Sequence, residues 1–155
     1  MAAPSSRGRM LALAVLLVAA GCGPSGPTPV PIQGQVTFGD QPVTNGTIIF
    51  TPVDGTAGPS TGGNVTDGHY TVPSEKGPYA GGTYRVEVTA LRKNGKTVPN
   101  MFDSTGRPAE LSDQFLPETY NTKSILKVTL PPRSGRVRLD IPLATAGTAI
   151  ELVPR

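Results

Sequence analysis

The stretch TYRVEVTAL, Thr83–Leu91, reads as a single strand with two unlike faces. Tyr84, Val86 and Val88 alternate with Arg85, Glu87 and Thr89. A period of two sends alternate side chains to opposite sides of a sheet, so one face is buried and the other wet. Gly81-Gly82 precedes it, leaving room for the Tyr84 ring to fold back and bond nearby backbone through its hydroxyl, a tyrosine-corner-like anchor.

The same alternation recurs outward from this strand. SILKVTL turns Leu126, Val128 and Leu130 inward. RVRLDI turns Val137, Leu139 and Ile141 inward and Arg136, Arg138 and Asp140 outward. Upstream, IQGQVTF puts Gly34, Val36 and Phe38 on one face. TIIFTPV, Thr47–Val53, is apolar enough to be buried in part on both sides. Asn64–Thr66 forms a short strand, and HYTV returns from it after the turn at Asp67-Gly68, where Gly takes positive φ at little cost. The intervening tracts GDQPVTNG, DGTAGPSTGG and SEKGPYAGG are built of turn formers.

Seventeen Pro and nineteen Gly among 155 residues suit short strands and tight connections. The expected fold is therefore all-β, an antiparallel β-sandwich of about seven strands over residues 32–141. The stretch Arg92–Lys123 is polar and poorly periodic; it is expected to cross the surface, with a short helical turn near Glu110–Phe115. Residues 142–155 form an added edge strand or a tail.

The N-terminus has a different character. Arg7 and Arg9 precede the uncharged apolar run Met10–Ala20, followed by Gly21 and Cys22. This is the layout of a secretory leader, too short to span a bilayer permanently. Residues 1–21 are expected to be a signal peptide that is helical before cleavage. Without them the chain keeps twelve basic and eleven acidic residues, and such a balance gives no electrostatic case for nucleic acid. GPSGPTPVP, Gly23–Pro31, is expected to be an extended tether.

The order Ala19-Ala20-Gly21-Cys22 resembles the lipobox of bacterial lipoproteins, with Ala19 where that family prefers Leu. The resemblance implies that Ala19, Ala20 and Gly21 are read by the signal peptidase and that Cys22 carries the lipid. The alternative is an ordinary signal peptide with a chance cysteine. Gly23 rather than Asp after Cys22 favours the outer membrane over the inner.

The runs GQVTFGDQPVTNGTIIFTPV, TDGHYTV and YAGGTYRVEV resemble the carboxypeptidase regulatory-like domains, a transthyretin-like β-sandwich. The match rests on Gly34, Val36, Pro42, Gly46, Asp67, Gly68, Tyr70, Gly82, Tyr84 and Val86, with Ala80-Gly81 where Pro-Gly is commoner. FLPETYNTKSILKVTL, Phe115–Leu130, is similar to the late segment of small bacterial lipoproteins built on this module. Such domains act as folding, adhesive or spacer modules without catalysis, so the resemblance implies no enzyme and no cofactor.

Motifs that could carry chemistry are sparse. Asn94-Gly95-Lys96-Thr97 lacks the upstream glycine of a P-loop, Ala90 standing there, and Pro99 follows. His69 is the single histidine and flanks a hairpin turn; a plain strand residue is the better reading, because sites need several converging groups. The hydroxyisourate hydrolases share the transthyretin fold, but their several His and their C-terminal Tyr-Arg-Gly-Ser have no counterpart here. Asp40, Asp54, Asp67 and Asp103 suit turns better than calcium, so no metal is expected. Two basic clusters, Arg92/Lys93/Lys96 and Arg133/Arg136/Arg138, could touch anionic lipid headgroups or cell-envelope polymers if they were adjacent, but a solvated strand face is the better reading. Tyr79 and Tyr120 lie in loops and are the candidates for contact with a sugar or partner.

These expectations describe a lipid-anchored envelope protein facing the periplasm or exterior. Its body is a non-catalytic interaction module for an envelope protein or polysaccharide. The alternative function is a module that binds carbohydrate or another small ligand.

Overall fold

The computed structural model describes residues 26–102, 104–133, 135–148 and 150–155. The expected signal peptide with Ala19, Ala20 and Gly21, the expected lipidation site Cys22, and Asp103 lie outside the described residues. The described chain is all-β, with ten strands and two 3-10 turns. The strands are β1 (Ile32–Phe38), β2 (Gln41–Pro42), β3 (Asn45–Val53), β4 (Thr61–Thr66), β5 (His69–Val72), β6 (Thr83–Val98), β7 (Ala109–Gln114), β8 (Lys127–Thr129), β9 (Val137–Arg138) and β10 (Ile141–Leu143).

They form one curled, mostly antiparallel sheet in the order β10-β1-β5-β4-β3-β6-β7. β2 and β9 also pair with β1, and β8 with β6. The parallel pairs are those of β1 with β9 and β10. β8 pairs with β6 and β9 with β1, and the curled sheet wraps a single core. Ile32, Val36, Ile48, Phe50, Tyr84, Val86, Val88, Leu126, Val128, Leu139 and Ile141 are all buried in it.

The alternation in Thr83–Leu91 is realised as expected. Tyr84, Val86, Val88 and Ala90 face the core, and β3 pairs antiparallel with this half over Thr83–Ala90. Thr47–Val53 is one-sided instead: Ile48 and Phe50 are buried while Ile49 is exposed, because only one face of β3 meets the core. The Asp67-Gly68 turn has positive φ at both residues, which matches the right-handed twist of the strands it joins.

Gly34 lets two strands meet. A Cβ there would stand 1.8 Å from the Leu139 carbonyl oxygen. That oxygen also accepts the Tyr70 hydroxyl at 2.8 Å, fixing β5 to the β9–β10 segment.

Three expected segments differ. Glu110–Phe115 is not a helical turn: Ala109–Gln114 is strand β7, paired antiparallel with Leu91–Val98. β6 thus runs on past the core into a two-stranded arm exposed on both faces, and such a ribbon needs no apolar period. A 3-10 turn follows at Glu118–Tyr120. Thr148–Val153 holds no strand among the described residues, but the segment is packed. Leu152 is buried, and Arg155 exchanges two backbone hydrogen bonds with Arg138 at 2.8 Å each. The Pro-rich tether is docked from Thr28 onward. Val30 is fully buried, its N–H donates to the Pro78 carbonyl, and the Ala80 N–H donates to that of Thr28.

Candidate binding clefts

The end of the domain where the tether arrives is organised by Tyr84. Its ring folds over Gly82, where a Cβ would lie 2.7 Å from the ring. The Tyr84 hydroxyl accepts the Tyr79 backbone N–H at 2.7 Å. Burial raises the Tyr84 pKa more than this hydrogen bond lowers it. The expected tyrosine-corner-like anchor is present, and it pins the Gly77–Gly82 loop against which Thr28–Val30 lies.

Tyr79 is half-buried and stands between two hollows. Its ring rests on Gly58, where a Cβ would lie 2.5 Å from it, and Pro29 bridges its backbone. On one side is a cleft of about 470 Å³, bordered by Pro29, Ser60, Glu75, Lys76 and Tyr79. On the other is a hollow of about 320 Å³, bordered by Pro27, Asp54, Thr56 and Thr83. Tyr79 thus borders both hollows at the tether end, in a setting of mixed polarity.

Tyr120 is not a ligand contact. It lies in a loop, as expected, but is completely buried. The 3-10 turn aims its ring inward, where the hydroxyl accepts the Ala144 N–H at 3.1 Å. The carbonyls of Ala144 and Thr148 each lie 2.9 Å from it as acceptors. It ties the C-terminal segment to the core, and its hydroxyl is already surrounded by backbone groups.

The remaining residues do not converge. His69 is exposed at the start of β5, beside a shallow hollow shared with Gln33, Gln35 and Arg138. Arg138 pairs instead with Asp140 at 3.2 Å. Asp54 pairs with Lys127 at 3.1 Å, and Asp67 sits in its turn. No group of three or more His, Cys, Asp or Glu placed to hold a metal occurs among the described residues. Asn94–Thr97 forms a bulge in β6, with the Asn94 side chain accepting the Lys96 N–H at 2.9 Å. The two basic clusters do not meet. Pro132, next to Arg133, packs near Gly81 at the tether end, whereas Arg92 and Lys93 belong to the arm. There the Arg92 guanidinium stacks over Phe115, 4.3 Å from its ring centre, and Lys93 pairs with Glu110.

No family model and no curated protein matches this chain. Among solved structures, 75% of the chain aligns with 17% of a 9R-lipoxygenase from Cyanothece PCC8801, at 16% identity and a TM-score of 0.30. The chain thus spans a small part of that protein, and a likeness so slight carries no argument about fold or activity.

Proposed function

We propose that this chain is a lipid-anchored cell-envelope protein whose body is a non-catalytic interaction module of the carboxypeptidase regulatory-like, transthyretin-like type. The observation that carries the reading is the short path from Cys22 to the docked residue Thr28. The sequence places a lipobox-like Ala19-Ala20-Gly21-Cys22 after an apolar run, and the chain is fastened to the domain by Thr28–Val30. Only six residue steps separate the two points, a reach of roughly 20 Å. A lipid on Cys22 would therefore hold the tether end of the domain close to the membrane surface. The thiol receives a diacylglyceryl group, the leader is removed and the new amino group is acylated; two or more acyl chains make anchoring stable.

The interaction role is supported by the scattered placement of His69, Asp54, Asp67 and the basic clusters, none of which forms a nucleophile–base pair. Crosslinking in intact cells, comparing wild type with Cys22→Ser, tests it. A specific envelope protein or polysaccharide trapped only with the anchored form is the expected result. Turnover of any substrate that is abolished by His69→Ala would overturn the non-catalytic reading.

A second reading, a carbohydrate or small-ligand module, is favoured by the cleft beside Tyr79. Saturable binding of a sugar, lost in Tyr79→Ala with the fold intact, would select it.

A further inference from the structure

The chain has five asparagines, and two of them, Asn45 and Asn94, precede glycine. Glycine has no Cβ to shield its backbone nitrogen, so that nitrogen can reach the side-chain carbonyl carbon of the residue before it. The two Asn-Gly pairs sit in opposite settings.

Gly46 is held from both sides in the middle of the sheet, opposite Val65 of β4 and Ala90 of β6. It is also crowded: a Cβ there would lie 2.2 Å from the Thr89 carbonyl oxygen. Its nitrogen has no room to swing toward Asn45. Gly95 lies in the β6 bulge. Among the described residues, none stands opposite Asn94, Gly95 or Lys96 in the β6–β7 register. A Cβ on Gly95 would meet nothing within 4 Å.

The Asn94 side chain is meanwhile held in place. The Lys96 N–H donates to Asn94 Oδ1 at 2.9 Å, and Asn94 Nδ2 donates to Asp113 Oδ1 at 3.0 Å. Attack on Cγ would put negative charge on Oδ1, and an N–H already aimed at that oxygen stabilises it. Asn100 has a similar donor, the Phe102 N–H at 3.1 Å, but the Met101 side chain shields the nitrogen that would attack. Asn64 and Asn121 are followed by Val65 and Thr122, and Asn121 is buried with Nδ2 bonded to the Leu116 and Pro117 carbonyls. Asn94 alone combines an unpaired glycine with an aligned donor.

We propose that Asn94-Gly95 is a self-modifying site, at which Asn94 turns into aspartate and isoaspartate in the folded protein and loosens the β6–β7 arm. The Gly95 nitrogen bonds to Asn94 Cγ and gives its proton to water. The Cγ–Nδ2 bond breaks, and Nδ2 takes a proton from water and leaves as ammonia. One water then opens the cyclic imide. Addition at Cγ gives aspartate; addition at the Asn94 main-chain carbonyl gives isoaspartate, with the backbone rerouted through the side chain. Either product ends in a carboxylate, which has no proton to donate, so the bond to Asp113 is lost. Like charges facing across a strand pair oppose the pairing. Of the neighbouring cations, Arg92 is stacked over Phe115 and Lys93 is paired with Glu110. The conversion does not depend on the lipid-anchor reading.

The test follows the folded full chain in neutral buffer at physiological temperature over weeks, by peptide mapping with mass spectrometry. The Asn94 peptide should gain the mass difference between NH2 and OH and separate into aspartate and isoaspartate forms, while the Asn45 peptide stays unchanged. In urea, where the chain is unfolded, both sites should convert, since both precede glycine. Gly95→Ala, with open space around the new methyl, should convert several-fold more slowly. Asn94→Asp reproduces one product, and amides of residues 92–98 should exchange faster in it than in wild type. A folded Asn94 that stays intact while the unfolded chain converts overturns the proposal. So does equal conversion of Asn45 and Asn94 in the folded chain, or conversion of Gly95→Ala at the wild-type rate. Unchanged exchange in Asn94→Asp would overturn the loosening of the arm.

Discussion

The Tyr84 hydroxyl and the Tyr79 backbone N–H, 2.7 Å apart, join the strand at the centre of the fold to the loop that receives the tether. Tyr84 sits at the start of the longest strand, in the core. Tyr79 is paired with Pro29, so the bond ties the tether to the core through one hydroxyl.

Tyr84→Phe removes that hydroxyl and leaves the Tyr79 N–H without its partner. A loss of about 1–3 kcal/mol is expected, seen as a lower urea midpoint with an unchanged slope. Backbone amides at Val30 and Ala80, which hold the tether, should exchange faster in the variant. Unchanged exchange there would show that the tether is fastened independently of Tyr84.

Gly34→Ala places a methyl 1.8 Å from the Leu139 carbonyl oxygen. Backbone must move on one side, and the Tyr70–Leu139 hydrogen bond moves with it. Destabilisation of about 1–3 kcal/mol follows from forced overpacking. The same exchange at Gly95, which has open space around it but a positive φ, should cost less.

Alkaline pH should unfold the domain through Tyr70. Burial, and secondarily the charge of Asp140, holds the Tyr70 pKa far above its ordinary value. The folded value lies above the unfolded value of about 10, so the stabilisation is complete below pH 10 and is lost as pH rises toward the folded value. Each such group contributes a slope of about 1.4 kcal/mol per pH unit in that window. Tyr70→Phe is less stable at neutral pH because it loses the hydrogen bond to Leu139, yet its stability should fall less steeply above pH 10. Parallel curves for the two proteins would contradict this.

Hydrogen exchange should divide β6 at its middle. Amides in Thr83–Ala90, paired with β3 and bordered by the core, are expected to be strongly protected, and those in Leu91–Val98 weakly, because a two-stranded ribbon is marginal alone. Equal protection along the strand would show that the arm is braced by something beyond its pairing with β7.

The contrast within β6 also explains what the sequence disclosed. Tyr84, Val86 and Val88 announce their burial by alternating with polar residues, as do Leu126, Val128 and Leu130 and the Val137–Ile141 set. Ala109–Gln114 carries no such period because both faces of the arm are wet, and the residues read as loop or helix until their pairing partner is known. The docking of Thr28 and Val30 is hidden by their proline neighbours, since their partners at Ala80 and Pro78 lie some fifty residues away. Tyr79 and Tyr120 look alike as loop tyrosines. Their fates diverge because Tyr120 follows Leu116 into a 3-10 turn over the core, while the Tyr79 ring rests on Gly58 beside the tether. The leader-like run and Cys22 are read from the sequence alone.

The proposed lipid anchor depends on Cys22. The most direct test is mass spectrometry of the N-terminal peptide of the protein isolated from its native membranes. A peptide that begins at Cys22 and carries a diacylglyceryl group plus an N-acyl chain is predicted, and Cys22→Ser should abolish both the lipid and the membrane association. A chain that begins elsewhere, or at Cys22 with a free thiol, would contradict the lipid anchor and make this a freely released β-sandwich domain.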